Sequence, residues 1–202
     1  MEIQSLDALR HLYAKPQERA VKKQIAALDQ HCTRFIALSP FLILSTCDEN
    51  FNSDASPRGG MPGFVKISST GELLIPDAPG NNRLDSFENI VSTGKVGLLF
   101  LIPGFDETLR VNGAATLSMS QHEIAAVCAP DRRVPKLVVR VTVTAAYLHC
   151  AKALLRSKLW AESSKVARST LPTVGQMISD QTGIRVALES KEDMERRYAP
   201  DL

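Results

Sequence analysis

The chain has 202 residues, 44% of them hydrophobic, which suffices for one core of ordinary domain size. Its 24 basic residues against 22 acidic ones leave a formal net charge of +2, too balanced for the bulk field to select a nucleic acid or a membrane surface. Aromatic residues make up only 5%, which argues against a base-stacking platform of the RNA-binding kind.

The opening MEIQSLDALR carries acids early and no apolar core run, so it does not read as a secretory signal. Val21, Ile25 and Leu28 fall at helical spacing with Pro16 near the start, and a second short helix is predicted over Cys32–Leu38 before Ser39-Pro40 breaks it. Together they make residues 1–38 a helical extension. Phe41–Thr46 (FLILST) is a continuous apolar run typical of a strand buried on both faces. Asp48–Ser53 is turn material, and Asp54–Gly63 (DASPRGGMPG) reads as a loop of small residues, prolines and glycines. Phe64–Ser68 and Glu72–Ile75 flank Ser69-Thr70-Gly71 as a hairpin.

After Pro79-Gly80, Asn82-Arg83-Leu84-Asp85 resembles a helix start, with Leu84, Phe87 and Val91 on one face. Strands Lys95–Ile102 and Thr108–Ser118 follow, joined by Pro103–Asp106. Ser120-Gln121-His122-Glu123 then fits a capping box, with His122 on the polar face. The last strand, Lys136–Tyr147, alternates plainly: Val139, Val141, Val143 and Ala145 face one way, Arg140, Thr142 and Thr144 the other. Six strands with turn-rich links argue for an antiparallel barrel with peripheral helices, since parallel strands would need longer crossovers. Thr173-Val174-Gly175-Gln176 caps a small peripheral helix within Val166–Thr182, and the charged Glu189–Arg197 reads as a solvated helix start. The predicted division is therefore 1–38, a barrel over 39–160, and a helical extension over 161–202.

The longest apolar runs, Phe41–Leu44 and Val96–Ile102, fall well short of the ~20 residues a bilayer span needs. Cys32, Cys47, Cys128 and Cys150 are scattered and include no CxxC, so neither a disulfide framework nor a zinc site is expected. Cys150, at a strand end beside His149, reads as a buried thiol rather than a nucleophile. The expectation is a soluble cytoplasmic protein with no membrane or nucleic-acid partner.

Three segments share one chemistry. Arg58 in the loop, Arg83 in PDAPGNNRLDSFENI (Pro76–Ile90) and Arg110 in ETLRVNGAATL (Glu107–Leu117) each stand beside Asn or Gly at the edge of an apolar element. Singly each is an ordinary solvated arginine. Repeated in one context they point to a shared anion pocket, because guanidinium forks and free backbone N–H groups are what a phosphate needs. Asn81, Asn82 and Arg83 are expected in the first turn of their helix, where N–H donors and the dipole converge. Gly59, Gly60 and Gly63 have neither the spacing nor the βα context of a dinucleotide fingerprint.

In this order, the SPRG…PGF loop, the GNxRxD helix start, the LFLIPGxxETLRVNG hairpin and the terminal HCxKAxxRSxLW segment (His149–Trp160) resemble the pyridoxamine 5′-phosphate oxidase-like, FMN-binding split-barrel superfamily. The likeness is nearest to a bacterial subgroup of flavin proteins and runs from about Phe35 to Trp160. It implies a six-stranded antiparallel split β-barrel, mainly β with peripheral helices, paired as a homodimer with FMN between the subunits. By position, Arg83 with Asn82 would hold the phosphate. Ser56, Pro57 and Arg58, with Val65 and Lys66, would lie along the ribityl chain and ring, where Arg58 or Lys66 would stabilise charge on reduced flavin. Ile75, Pro76 and Asp77 would pass the phosphate side. Arg110 and Asn112 would face the flavin, and Lys152, Arg156 and Trp160 would form a wall from the partner. The chain ends LESKEDMERRYAPDL and has one tryptophan, lacking the W-rich segment and R-x-H-x-R run of authentic pyridoxamine-phosphate oxidases. The resemblance therefore implies an FMN-dependent oxidoreductase of an unidentified small molecule. The alternatives are a flavin-binding module with little turnover or a haem-handling protein.

Overall fold

The computed structural model describes residues 2–129, 133–185 and 189–201. The N-terminal region holds more helix breaks than its apolar spacing predicts. A short helix α1 (Leu6–His11) opens where Ser5 Oγ accepts from the Ala8 N–H at 3.1 Å. The helix after Pro16, α2, covers only Glu18–Lys22. It stops because Ile25 leaves the helical path to bridge Ala146 in both directions, at 3.0 and 2.8 Å. Ile25 and Leu28 thus reach the core as extended chain, and Val21 is left exposed. Helix α3 (Gln30–Leu38) is capped by Asp29, whose carboxylate accepts from Cys32 N at 2.8 Å, and buries Cys32, Phe35 and Ile36. That backbone hydrogen bond holds the Asp29 carboxyl below its usual range, whereas burial pushes the Cys32 thiol up to about 11.

Seven strands among the described residues form one antiparallel sheet, curled into a half-barrel: β1 (Phe41–Cys47), β2 (Ser53–Gly59), β3 (Lys66–Ile67), β4 (Leu73–Pro76), β5 (Lys95–Leu101), β6 (Thr108–Ser118) and β7 (Val138–His149). Their spatial order is β2-β1-β5-β6-β7-β4-β3, so β2 and β3 are the two edges. The split-barrel class is as expected, with seven strands in place of six. The additional one is β2, which the residues suggest is loop. It pairs with β1 along its full length, from Phe41 opposite Gly59 to Cys47 opposite Ser53. An edge strand tolerates Pro57, because the missing N–H faces no neighbour. The predicted strand Phe64–Ser68 shrinks to the two residues of β3.

Strand β1 is not buried on both faces. Leu42, Leu44 and Thr46 are buried, while Phe41 and Ser45 are exposed. Leu42, Leu44, Leu98, Phe100, Leu109, Val111, Val139 and Val141 fill the concave side, which helix α4 (Asp85–Thr93) closes with Phe87 and Ile90. Ile90, rather than the predicted Val91, completes that face; Val91 and Leu84 are exposed. Helix α5 (Gln121–Val127) packs Ile124 and Val127 on Leu74 and Val138. Its expected capping box does not form: Ser120 makes no side-chain cap, and Glu123 instead accepts from Arg140 at 3.2 Å.

The pairing of β6 with β7 slips at Gly113. Asn112 lies opposite Ala145 but Gly113 opposite Val143, which leaves Thr144 as the extra residue of a bulge. The predicted alternation of β7 accordingly changes phase there, and Ala146 is buried beside Ala145. Beyond β7 lie α6 (Lys152–Ser157), α7 (Val174–Thr182, with Thr173 Oγ1 accepting from Gln176 N) and α8 (Lys191–Tyr198). None of these three helices buries a residue. Cys150 is exposed, contrary to the expected buried thiol, because the strand ends at His149 and the chain turns outward.

Candidate functional site

The main cleft, about 1040 Å³, lies between the β2 edge, the loop before α4 and the segment leading into β7. Alternation along β2 turns Asp54, Ser56 and Arg58 inward as half-buried residues and leaves Ala55 and Pro57 outside. Asp77, following β4, faces them, with its N–H bonded to Leu137 O at 3.1 Å. The loop 78–84 closes one end. Asn82 and Leu84 both adopt left-handed backbone, with φ of 60° and 63°. Helix α4 therefore begins only at Asp85, one turn later than its sequence suggests, and Arg83 lies ahead of it. Asn81 Oδ1 accepts from the Arg83 N–H at 3.1 Å, an Asx turn that holds the loop.

A connected polar network underlies the cleft. Ser86 Oγ donates to Asp54 Oδ2 at 2.5 Å and lies 2.9 Å from Ser56 Oγ. Arg58 Nη2 donates to Ser56 Oγ at 3.3 Å, and Thr46 Oγ1, itself accepting from Asn89 Nδ2, lies 3.5 Å from Asp54 Oδ2. The Arg58 guanidinium rests 5.3 Å from the Phe87 ring centroid, and its buried Nε has no hydrogen-bond partner among the described residues. Burial holds the Arg58 pKa below its usual value, with Asp77 and Asp54 opposing. Burial likewise raises the Asp77 carboxyl, against the pull of Arg58 and Lys136. Arg83 differs. It is largely exposed and forks onto Asp85, with Nε to Oδ2 at 2.8 Å and Nη2 to Oδ1 at 3.4 Å; that hydrogen bonding holds its pKa above the usual value.

Ser86 ties the helix to the sheet through an ionised acceptor while itself buried. Ser86→Ala is expected to cost about 1.5–3 kcal/mol, the range for hydrogen bonds to charged groups. Urea unfolding checks this, and an unchanged midpoint would remove the network from the stability account.

The cleft gathers Ser56, Arg58, Asp77, Asn82 and Arg83. The other candidates stand elsewhere. Val65 and Ile75 are core residues at 3% and 1% exposure, and neither lines the cleft. Pro57 points outward, Pro76 ends β4, and Lys66 donates to Gly63 O at 2.8 Å. Arg110 and Asn112 occupy the opposite face of the sheet. Ser56 and Arg58 pair with the buried Leu44 and Leu42, whereas Arg110 aligns with Leu99 and Ile43, and Asn112 with Gly97 and Ser45, all outward. There Arg110 Nη1 donates to Tyr147 Oη at 2.8 Å beside a shallow hollow of about 390 Å³ that His149 also lines. Burial, then Arg110 and Lys23, hold the His149 pKa down. Lys152 and Arg156 lie on α6, and Trp160 donates to Phe105 O at 2.7 Å; none of the three lines the cleft.

The residue readings missed Asp54 and Ser86. The signal for Asp54 is the period-two run Asp54, Ser56, Arg58, visible only once the segment is read as a strand; Ser86, on α4, lies outside that run. Among the described residues no three of His, Cys, Asp or Glu gather as a metal set, and no helix is long and apolar enough to cross a membrane.

A family model described as pyridoxamine 5′-phosphate oxidase matches residues 28–150, more than half of the chain. The curated proteins give no significant match. Among solved structures, HupZ of Group A Streptococcus aligns with a TM-score of 0.50 and 17% identity over 60% of this chain and 98% of that one. A candidate pyridoxamine 5′-phosphate oxidase of Lactobacillus delbrueckii aligns with a TM-score of 0.46 and 18% identity, over 60% of this chain and 93% of that one. A Clostridium acetobutylicum protein related to general stress protein 26 gives 0.42 and 11%, over 59% and 85%. At such identities the first likeness speaks for the fold alone.

Proposed function

We propose a function that starts from membership: the chain belongs to the pyridoxamine 5′-phosphate oxidase family, and its cleft holds FMN for oxidation or reduction of a small molecule, in a homodimer. The observation that carries this reading is Arg58, a half-buried guanidinium set in the same cleft as the Asn82–Arg83 loop. Two arginines lining one cavity suit a ligand that carries a phosphate and a polar ring edge.

In this reading Arg83, with Asn82, holds the phosphate, and Asp85 keeps the Arg83 fork oriented. Arg58 offers its guanidinium to the ring, steadied by Ser56 and Phe87. Bound FMN supplies the transfer of an electron pair, and the protein supplies orientation, charge and exclusion of water. Because Arg110 and Asn112 face the other side of the sheet, their part in the site belongs to the cleft of a second chain. No R-x-H-x-R run stands among the 202 residues, so nothing in them favours pyridoxamine phosphate over another small molecule.

Thermal melting with FMN, riboflavin and FAD tests the ligand. FMN at ~100-fold excess over its dissociation constant is expected to add about 2.7 kcal/mol of stability, riboflavin less and FAD less. An equal or larger shift with FAD would overturn the assignment, as would a colourless protein that takes up haemin with a Soret band. Bleaching of the bound flavin by NADH or NADPH, with recovery in air, separates an enzyme from a binding module.

A further inference from the structure

The chain exposes 14496 Å². A folded monomer of 22.1 kDa is expected to expose about 9300 Å², so some 5000 Å² here has no cover within the chain. Among the described residues every buried one lies between Cys32 and Ala146, so the N- and C-terminal arms, with α1, α2, α6, α7 and α8, bury none. Yet the arms are rich in large apolar side chains. Leu6 and Leu9 on α1 are exposed at i, i+3 spacing, as on a helix side that packs on something, and Tyr13 just beyond the helix is exposed too. Val174 and Ile178 on α7 are one turn apart and both exposed; Leu155 on α6 and Leu159 just beyond it are exposed as well.

Helices this short are marginal in water without tertiary contacts, whatever their caps contribute. Six-residue α1 and nine-residue α7 are of this kind, each with a side-chain N-cap. The sheet offers matching ground. Phe41 is exposed and Ile43, Leu99 and Leu101 half-buried on the outward face, in register as Phe41 opposite Leu101 and Ile43 opposite Leu99. A span of about 5000 Å² exceeds the ~800 Å² per partner of a standard interface and suits an obligate pair.

We propose that the N-terminal arm through α1 and the C-terminal arm through α7 are exchanged between two copies of this chain, each packing its apolar stripe on the other. The pair is then held by arms as well as by sheet faces. This rests on the two-chain reading given above and adds what fastens the chains together.

The test is sedimentation equilibrium of the full chain, purified without flavin, with two double variants: Leu6→Glu with Leu9→Glu, and Val174→Glu with Ile178→Glu. Wild type is expected to be a dimer, and the first variant to raise its dissociation constant by at least about 100-fold. The second is expected to raise it as well. Neither pair touches the core, so an unchanged near-ultraviolet spectrum verifies folding. Hydrogen exchange supplies an independent measure: amides of Leu6–His11 are expected to be protected in the dimer and to lose protection on dilution into monomer. A dimer indifferent to both variants overturns the arm exchange and leaves the two-chain site standing. A monomeric wild type overturns both. Protection of α1 that survives in monomer, or binding of a monomer to phosphatidylcholine vesicles through the same leucines, assigns the arms elsewhere and overturns the proposal.

Discussion

Gly113→Ala is expected to cost about 3 kcal/mol of folding stability, at the upper end of what overpacking produces. The reason is space rather than backbone conformation, since Gly113 is not among the positive-φ glycines. A Cβ there would overlap the Thr142 carbonyl oxygen and approach Val141 Cγ1 to 2.8 Å. The first obstacle is backbone, held in the β6–β7 ladder where the register slips, so no rotamer change relieves it. For a chain of this size such a loss lowers Tm by about 6–12 °C. Gly97→Ala is the control on the adjacent strand: its Cβ would meet Asn112 Oδ1 at 3.5 Å and Ser45 Cβ at 3.9 Å, ordinary contacts. Calorimetry of both variants checks the claim. A Tm for Gly113→Ala within about 2 °C of wild type would mean that the bulge reopens freely, against the packing argument.

The same bulge marks where sequence patterning stops being sufficient. Strand β6 was fully legible, because TLRVNGAATLS carries β-branched and apolar residues between clear turns. Strand β7 was legible in kind, yet its phase changes at Thr144, since a bulge depends on what its neighbour does at Gly113. Strand β2 was hidden. Ser-Asp-Ala-Ser-Pro-Arg-Gly has little intrinsic strand preference and is held by pairing with β1, a tertiary contact. Helix α2 ended early for a similar reason, because the Ile25–Ala146 bridge outweighs helical spacing.

The cleft shows the same division. Arg58, Asp77, Asn82 and Arg83 could be singled out because their local motifs are self-contained. Asp54 and Ser86 could not, because they are 32 residues apart and meet only through the docking of α4 on β2. The separation of Arg110 and Asn112 from Arg58 is likewise a matter of parity across four strands, which no single motif encodes.

Arg83→Ala is expected to weaken FMN binding by roughly 10- to 150-fold, the equivalent of a charge-assisted contact of about 1.5–3 kcal/mol. The loop geometry refines the argument. Arg83 is not in the first turn of α4 but ahead of it, between left-handed Asn82 and Leu84, so its value to the phosphate comes from its guanidinium more than from the helix terminus. Asp85 already occupies one edge of that fork, which orients the remaining N–H groups and sets a second expectation: Asp85→Asn weakens FMN binding less than Arg83→Ala does. Arg83→Lys recovers only part of the affinity, because an ammonium lacks the planar fork. Riboflavin, having no phosphate, binds wild type and Arg83→Ala alike, which separates loss of a phosphate contact from damage to the cleft. Arg83 is exposed, so its removal leaves folding intact and the titrations comparable. Fluorescence titration of FMN and riboflavin against these proteins decides the matter. Equal FMN affinity in wild type and Arg83→Ala would take Arg83 out of the site and shift the phosphate to Arg58, the other arginine of the pair in the cleft.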